Sequence, residues 1–176
     1  MISLHIKDEI APLEQVVLGT AQSNGPTPKL EEAYDPKSKA HILAGTYPKE
    51  KDMILEMDAV ASVFSKYGVK VYRPEVIQNY NQIFSRDIGF VIDNTFVKAN
   101  ILPDRAKELQ AINDVLSQIA PEQIIEFPDT AHIEGGDVMP WHNYVFVGTY
   151  YRSDYTDYIT ARTNKEAVTR LQNAFP

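Results

Sequence analysis

Two short acidic motifs carry the residue types best suited to chemistry in this sequence. The first is Phe84-Ser85-Arg86-Asp87, which lies directly before an apolar run. The second is His132-Ile133-Glu134-Gly135-Gly136-Asp137, in which two adjacent glycines stand between carboxylates. Glycine has no Cβ, so the chain can turn tightly there and a ligand can come close to the backbone. The two motifs are therefore the candidate ligand-binding segments.

Each motif also has a purely structural interpretation. An isolated Arg-Asp pair is usually an exposed ion pair that contributes little to stability, and Gly-Gly before a strand is common turn chemistry. However, Asp87 precedes the apolar start of one β-rich segment, and Asp137 holds the same place in the next, 50 residues later. This equivalent placement favours the ligand-binding interpretation.

Asp87, Glu134 and Asp137 in one pocket would form a negative site that needs a cation. A guanidinium is the best geometric match, because its planar set of N–H donors pairs two-on-two with carboxylates. A divalent metal is the alternative, with ligand types supplied by His132, Glu134, Asp137 and His142. The spacing of His132 and Glu134 matches no known metal motif, so the guanidinium interpretation is preferred. We expect neither a metal nor a cofactor.

The apolar periodicity divides the chain into short strands and helices. It predicts strands at 16–19, 69–73 and 124–127, a polar loop over 22–39, helices opening near 48, 104 and 163, and hairpins at 88–97 and 137–147. Gly68 marks a helix end, and Thr163 with Glu166 stands at capping-box spacing. The cluster Tyr150, Tyr151, Tyr155 and Tyr158 is a further candidate pocket lining.

The predicted elements recur in one order. A hairpin, a helix and a closing strand are followed by another hairpin and helix, at a period of 50 to 60 residues, which is typical of repeated supersecondary units. The units span approximately 10–75, 84–128 and 134–176 of one partial domain, 1–176, and the third lacks its closing strand. If they surround an axis, Asp87 and Glu134 lie within reach of one guanidinium. Their grouping should then raise at least one carboxylate pKa.

Composition excludes several functional classes. The 176 residues, 44% hydrophobic, are enough for a real core, and a net charge of −7 argues against a nucleic-acid binder. No run approaches the ~20 apolar residues of a membrane span, so we expect no membrane partner and a cytoplasmic location. The chain has no cysteine, which excludes disulfides, thiolate zinc sites and a cysteine nucleophile supplied by these residues.

In combination and order, the motifs resemble the guanidino-group modifying superfamily of arginine deiminases, dimethylarginine dimethylaminohydrolases and amidinotransferases. The resemblance spans residues 84–170, and it rests on Phe84-x-Arg86-Asp87 with Ile88-Gly89-Phe90-Val91-Ile92, on Glu134-Gly135-Gly136-Asp137-Val138, and on Val147-Gly148 with Arg162-Thr163-Asn164. It implies an α/β fold, a pentein-type propeller of five ββαβ units, of which this chain would hold about three.

The resemblance also implies roles for the residues. Asp87 resembles the carboxylate that grips the substrate guanidinium, and Glu134 the acidic residue that supports the catalytic histidine and the substrate. Arg86 and Asp137 complete the matched substrate-binding motifs, with Asp137 placed to hold the loop and strand start. In the family, a cysteine thiolate attacks the guanidinium carbon and a histidine acts as general acid/base. His132 and His142 do not occupy that histidine's place.

The expectation is therefore the N-terminal part of an amidinotransferase-like enzyme that acts on arginine or a related guanidino compound, with this chain inactive alone. The sequence does not separate amidino transfer from hydrolysis. One alternative is a non-catalytic binding or assembly module of the same fold, and a less favoured one is a metal-dependent hydrolase using His132, Glu134 and Asp137. Open strand edges also predict self-association.

Overall fold

The computed structural model of the protein describes residues 1–33, 35–155 and 162–176. The chain folds into two compact units. The larger unit comprises Met1–Leu13 and Phe84–Pro176, and the smaller unit comprises Glu14–Ile83. The organisation of residues 1–176 as one partial domain of three repeated units stays a prediction. No helix in the described ranges has the length and apolar character needed to cross a membrane.

The smaller unit is built on one pair of parallel strands. Strand β1 (Gln15–Val17) pairs with β2 (Lys70–Tyr72), and the helices α1 (Pro36–Leu43) and α2 (Glu50–Lys66) come between them in sequence. The apolar spacing predicted α2 correctly, and the helix ends before Gly68, whose φ is +76°.

Helix α1 corrects the predicted polar loop over 22–39. The carboxylate of Asp35 accepts a 2.7 Å hydrogen bond from the amide of Ser38, and Pro36 opens the helix. An N-terminal acidic cap followed by proline is a helix start as well as a turn signal. The prediction of a loop was wrong from Pro36 onward for that reason.

The larger unit contains two sheets. Strands β3 (Gly89–Ile92), β4 (Thr95–Lys98) and β5 (Ile124–Glu126) form the first, with β3 and β4 antiparallel and β4 and β5 parallel. Strands β6 (Val138–Trp141) and β7 (Tyr144–Val147) form the second as an antiparallel pair. Both predicted hairpins are confirmed. The described strands form small, open sheets in a mixed α/β fold, and the propeller arrangement stays a prediction.

The helix predicted behind Pro103 is broken into short pieces. A 3-10 turn, Pro103–Arg105, is followed by α3 (Lys107–Gln110) and α4 (Asn113–Leu116). Ile112, at φ −107° and ψ 11°, separates the two α-helical turns. Ile112 and Val115 are buried as the apolar spacing predicts. However, the spacing gives no sign of the break between α3 and α4.

Helix α5 (Lys165–Ala174) begins at a different cap from the predicted one. The side chain of Asn164 accepts a 3.0 Å hydrogen bond from the amide of Ala167. Thr163 is not the cap: its Oγ1 accepts from the amide of Glu134 at 3.4 Å rather than from an amide of the helix, and it donates a 2.6 Å hydrogen bond to Asp137. The capping-box prediction was therefore wrong by one residue.

The core of the larger unit joins the two sheets to α5. Its buried members come from β3, β4, the segment before Glu134, β6 and α5; they are Phe90, Ile92, Val97, Ala131, Ile133, Val138, Ala167 and Leu171. Ile133 and Val138, on either side of the second acidic motif, are fully buried. Packing of these residues fixes the backbone from which the acidic side chains project.

Candidate functional site

Two 3-10 turns bring the acidic motifs together. Asp87 lies in the turn Ser85–Ile88 directly before β3, and Glu134 lies directly before the turn Gly135–Asp137 that leads into β6. The two turns contact each other. The approach is close enough that a Cβ on Gly135 would overlap the carbonyl oxygen of Arg86, and a Cβ on Gly136 would overlap Oδ1 of Asp87. The adjacent glycines therefore permit the contact.

Two arginine side chains of the chain itself lie between Asp87 and Glu134. Nη1 of Arg105 is 2.7 Å from Oδ2 of Asp87 and 3.9 Å from Oε2 of Glu134. Nη1 of Arg162 is 2.7 Å from Oε2 of Glu134 and 3.7 Å from Oδ2 of Asp87. One guanidinium thus reaches both carboxylates, which is the geometry that the sequence predicted for a guanidinium ligand.

Arg105 and Glu108 extend the cluster, and sequence reasoning missed both. Nε and Nη2 of Arg105 donate hydrogen bonds of 2.7 and 3.0 Å to the two carboxylate oxygens of Glu108, whose side chain is 3% exposed. Nη2 also donates to the carbonyl of Phe84 at 3.2 Å. The i,i+3 spacing of Arg105 and Glu108 is a recognisable ion-pair signal, but the burial of the pair is not visible in the sequence.

Burial raises the pKa of Glu134 above its ordinary value of 4.5, and the charge of Asp87 adds to the effect while Arg162 and Arg105 oppose it. Burial also raises the pKa of Glu108, against the opposing effect of Arg105. The sequence predicted a raised carboxylate pKa from like-charge repulsion alone. The larger cause is loss of hydration.

One oxygen of Glu134 stands out as an acceptor. The side chain is 1% exposed, and Oε1 has no hydrogen-bond partner among the described residues. Buried acceptors are nearly always hydrogen-bonded in folded proteins. This carboxylate can therefore accept a further donor.

Asp137 supports the backbone rather than facing the arginines. Its Oδ2 accepts the 2.6 Å hydrogen bond from Thr163 Oγ1, and its carbonyl accepts from the amide of Gly148 at 2.8 Å. Thr163 Oγ1 also accepts a 3.4 Å hydrogen bond from the amide of Glu134. These contacts tie the start of α5 to the second acidic motif.

The structure does not bring the side chain of Arg86 to the two carboxylates. Its guanidinium is hydrogen-bonded to the carboxylate of Glu9 and, at 3.1 Å, to the carbonyl of Val138. The substrate-binding role expected for Arg86 stays a prediction. The Arg-Asp motif contributes its aspartate to the cluster and uses its arginine to hold neighbouring backbone.

The residues of the metal alternative are separated. The ring of His132 stacks against Tyr155 at 6.2 Å between centroids, and Nδ1 of His142 lies 3.8 Å from a carboxylate oxygen of Asp8. Within the described ranges, no group of three histidine or acidic side chains is placed to hold a metal ion.

Part of the predicted tyrosine cluster lines a shallow cavity. Tyr150, Tyr151 and Tyr155 form its wall together with Arg152. Tyr158 lies outside the described residues. Burial raises the pKa of Tyr155, and the charges of Asp137 and Glu134 add to this shift.

Solved structures of two amidinotransferases and a dimethylarginine dimethylaminohydrolase share this fold. The inosamine-phosphate amidinotransferase StrB1 of Streptomyces griseus aligns over 100% of this chain and 60% of its own, with a TM-score of 0.65 and 16% identity. The amidinotransferase SxtG of Microseira wollei, from the saxitoxin biosynthetic pathway, aligns over 99% and 59%, with a TM-score of 0.65 and 16% identity.

The third structure is the dimethylarginine dimethylaminohydrolase of Pseudomonas aeruginosa, in a cysteine-to-serine mutant complexed with citrulline. It aligns over 90% of this chain and 55% of its own, with a TM-score of 0.61 and 13% identity. The predicted resemblance is confirmed at the level of the fold. This chain spans about 60% of the length of the amidinotransferases. No protein-family model and no curated protein sequence matches it.

Proposed function

We propose that this chain binds the guanidinium group of arginine or a related guanidino compound between Asp87 and Glu134, as the substrate-binding part of an amidinotransferase-like enzyme. One observation carries the proposal: Nη1 of Arg162 is 2.7 Å from Glu134 and 3.7 Å from Asp87, so the two carboxylates already hold a guanidinium. A protein of the same fold is a dimethylarginine dimethylaminohydrolase, whose name specifies a substrate of this guanidino class.

The chemistry of the cluster selects a planar cation. A buried carboxylate in a medium of low dielectric binds an opposite charge more strongly than an exposed one. Oε1 of Glu134, which has no hydrogen-bond partner within the described part of the chain, can accept a second N–H of the same guanidinium, and a planar guanidinium can supply two donors at once. The carboxylates would repel an anionic ligand, and a neutral ligand would form no ion pair with them.

These 176 residues contain no cysteine, so they supply no thiolate for an amidino-cysteine intermediate. Glu134 supports a catalytic histidine, and Asp137 the loop that carries Glu134, in a protein that provides the histidine and the nucleophile elsewhere. Transfer and hydrolysis use the same first step, and the binding residues proposed here serve either. A cytoplasmic location stays a prediction.

Binding of guanidinium ion and L-arginine is expected to weaken at least about tenfold in Asp87→Asn and Glu134→Gln, because a hydrogen bond to a charged group contributes ~1.5–3 kcal/mol. Isothermal titration calorimetry measures the change. Glu126→Gln is the matched control, since this carboxylate is 63% exposed and pairs with Lys98. Equal affinities in all four proteins would contradict the proposal.

No citrulline, ornithine or urea should form from arginine above a buffer blank.

The same titrations should depend on pH. Guanidinium affinity should rise as pH increases through the raised pKa of Glu134, because only the ionised carboxylate attracts the cation. Stability should show the opposite trend: between 4.5 and the raised pKa, the folded protein holds more protons than the unfolded chain, so the free energy of unfolding falls as pH rises. In Glu134→Gln, both the guanidinium affinity and the free energy of unfolding should depend less on pH. The part of the stability's pH dependence that comes from the raised pKa of Glu108 should remain.

An assembly module is the second candidate, and one surface favours it. The cross-strand pairs Met139–Phe146 and Trp141–Tyr144 share one face of the β6–β7 sheet. All four side chains are exposed, from 43% for Trp141 to 68% for Tyr144. This sheet has two described strands, whereas the sheet of β3 has three. A second copy of the chain can cover the face and extend the open edge.

Self-association should appear as a mass that rises with concentration in static light scattering. Trp141→Ser with Phe146→Ser should shift the protein to monomer, because both substitutions remove exposed apolar area from the same face. Leu43→Ser is the control, since Leu43 is 73% exposed in the smaller unit. A monodisperse wild-type monomer that binds no hydrophobic dye would rule out this assembly.

A further inference from the structure

The structure assigns Arg162 a second role in this cluster: its side chain occupies the guanidinium subsite and must leave before an external guanidinium can bind. The inference rests on the proposed function of Asp87 and Glu134. Its basis is that Nη1 of Arg162 makes the 2.7 Å contact with Glu134 Oε2 that an external guanidinium would make. The site is therefore closed by an internal ligand of the same chemistry as the external one.

Arg162 rather than Arg105 is the exchangeable guanidinium. Arg105 holds Glu108 through two hydrogen bonds, and withdrawing it would leave Glu108, 3% exposed, as a buried charge without its counter-ion. Such a loss is strongly destabilising. If Arg162 withdraws instead, Arg105 still faces Asp87 and, at 3.9 Å, Glu134. The Arg162 side chain is also the more exposed, 31% against 14%.

Only the side chain needs to move. The backbone after Arg162 is held by the hydrogen bond of Thr163 Oγ1 to Asp137 and by that of the Asn164 amide to the carbonyl of His132, at 3.1 Å. An arginine side chain rotates about several bonds, so it can leave Glu134 while this backbone stays in place.

The charge of the cluster limits which ligands can replace the side chain of Arg162. Asp87, Glu108 and Glu134 face two guanidinium groups in the closed arrangement. An incoming guanidinium replaces the positive charge that is lost when Arg162 leaves, whereas a neutral ligand would leave Glu134 without the counter-ion it had in a buried cluster. Exchange with Arg162 therefore favours ligands that carry a positive charge.

Occlusion lowers the apparent affinity by the fraction of molecules in which the subsite is open. Arg162→Ala should therefore bind guanidinium ion about tenfold more tightly than the wild type, measured by titration with guanidinium chloride at non-denaturing concentration. Arg170→Ala is the matched control, because Arg170 forms an exposed i,i+4 pair with Glu166. It loses the same charge and should keep the wild-type affinity.

Each outcome has a distinct meaning. Unchanged or weaker binding in Arg162→Ala, with binding still weakened in Glu134→Gln, overturns the occlusion and leaves the proposed function intact. Absence of binding in wild type and Arg162→Ala alike overturns both. If Arg162→Ala does not fold, side-chain 15N resonances of the wild type decide the question. Those of Arg162 should shift with the binding isotherm while those of Arg105 change little, and an unchanged Arg162 signal at saturation overturns the inference.

Discussion

Replacing Arg105 with methionine is expected to lower the free energy of unfolding by about 3–5 kcal/mol, as measured by urea denaturation, because it breaks a buried ion pair and leaves its partner uncompensated. Glu108 loses two hydrogen bonds, and Asp87 loses its 2.7 Å contact. Methionine keeps much of the side-chain volume, so the loss of charge rather than a cavity dominates the effect.

Two further variants separate this effect from a general loss of surface charge. Arg170→Met should cost no more than about 0.5 kcal/mol, since it removes an exposed helix pair. Adding Glu108→Leu to Arg105→Met should recover part of the stability, because the most buried unpaired carboxylate is then absent. A loss in Arg105→Met no larger than in the control would show that the cluster contributes little to the fold.

The adjacent glycines of the second acidic motif should respond differently to alanine. Gly135→Ala is expected to lower the free energy of unfolding by about 3 kcal/mol, the upper range for forcing extra atoms into a packed site. Its new Cβ would overlap the backbone carbonyl of Arg86 and lie 2.9 Å from that of Gly89. Two backbone segments would have to separate, which also moves Glu134 away from Asp87.

Gly136→Ala should cost less stability and still abolish guanidinium binding. Its Cβ would overlap Oδ1 of Asp87, a side-chain atom that can move. That movement displaces the carboxylate proposed to hold the ligand. Gly148→Ala is the control, because its Cβ would lie 3.4 Å from the nearest atom, Oδ1 of Asp137. Wild-type binding in Gly136→Ala would show that the position of Asp87 is not required.

Local sequence determined the elements whose formation depends on near neighbours. Turn residues between apolar runs predicted the hairpins at β3–β4 and β6–β7, where Asp93 and His142 adopt the positive φ values of 51° and 53° that tight turns require. Apolar spacing predicted α2. Equivalent placement in two predicted repeats led to the hypothesis that Asp87 and Glu134 lie near a common guanidinium.

Tertiary structure decided which groups complete the cluster and where neighbouring helices begin. Arg105 meets Asp87 across 18 residues of sequence, and Arg162 meets Glu134 across 28; the sequence pattern contains no information on either approach. Thr163 illustrates the physical reason: its hydroxyl donates to Asp137 and accepts from the amide of Glu134, and only the folded chain brings these two residues near it. Local propensities fix which bonds a residue can make, whereas packing of the core decides which partner it meets.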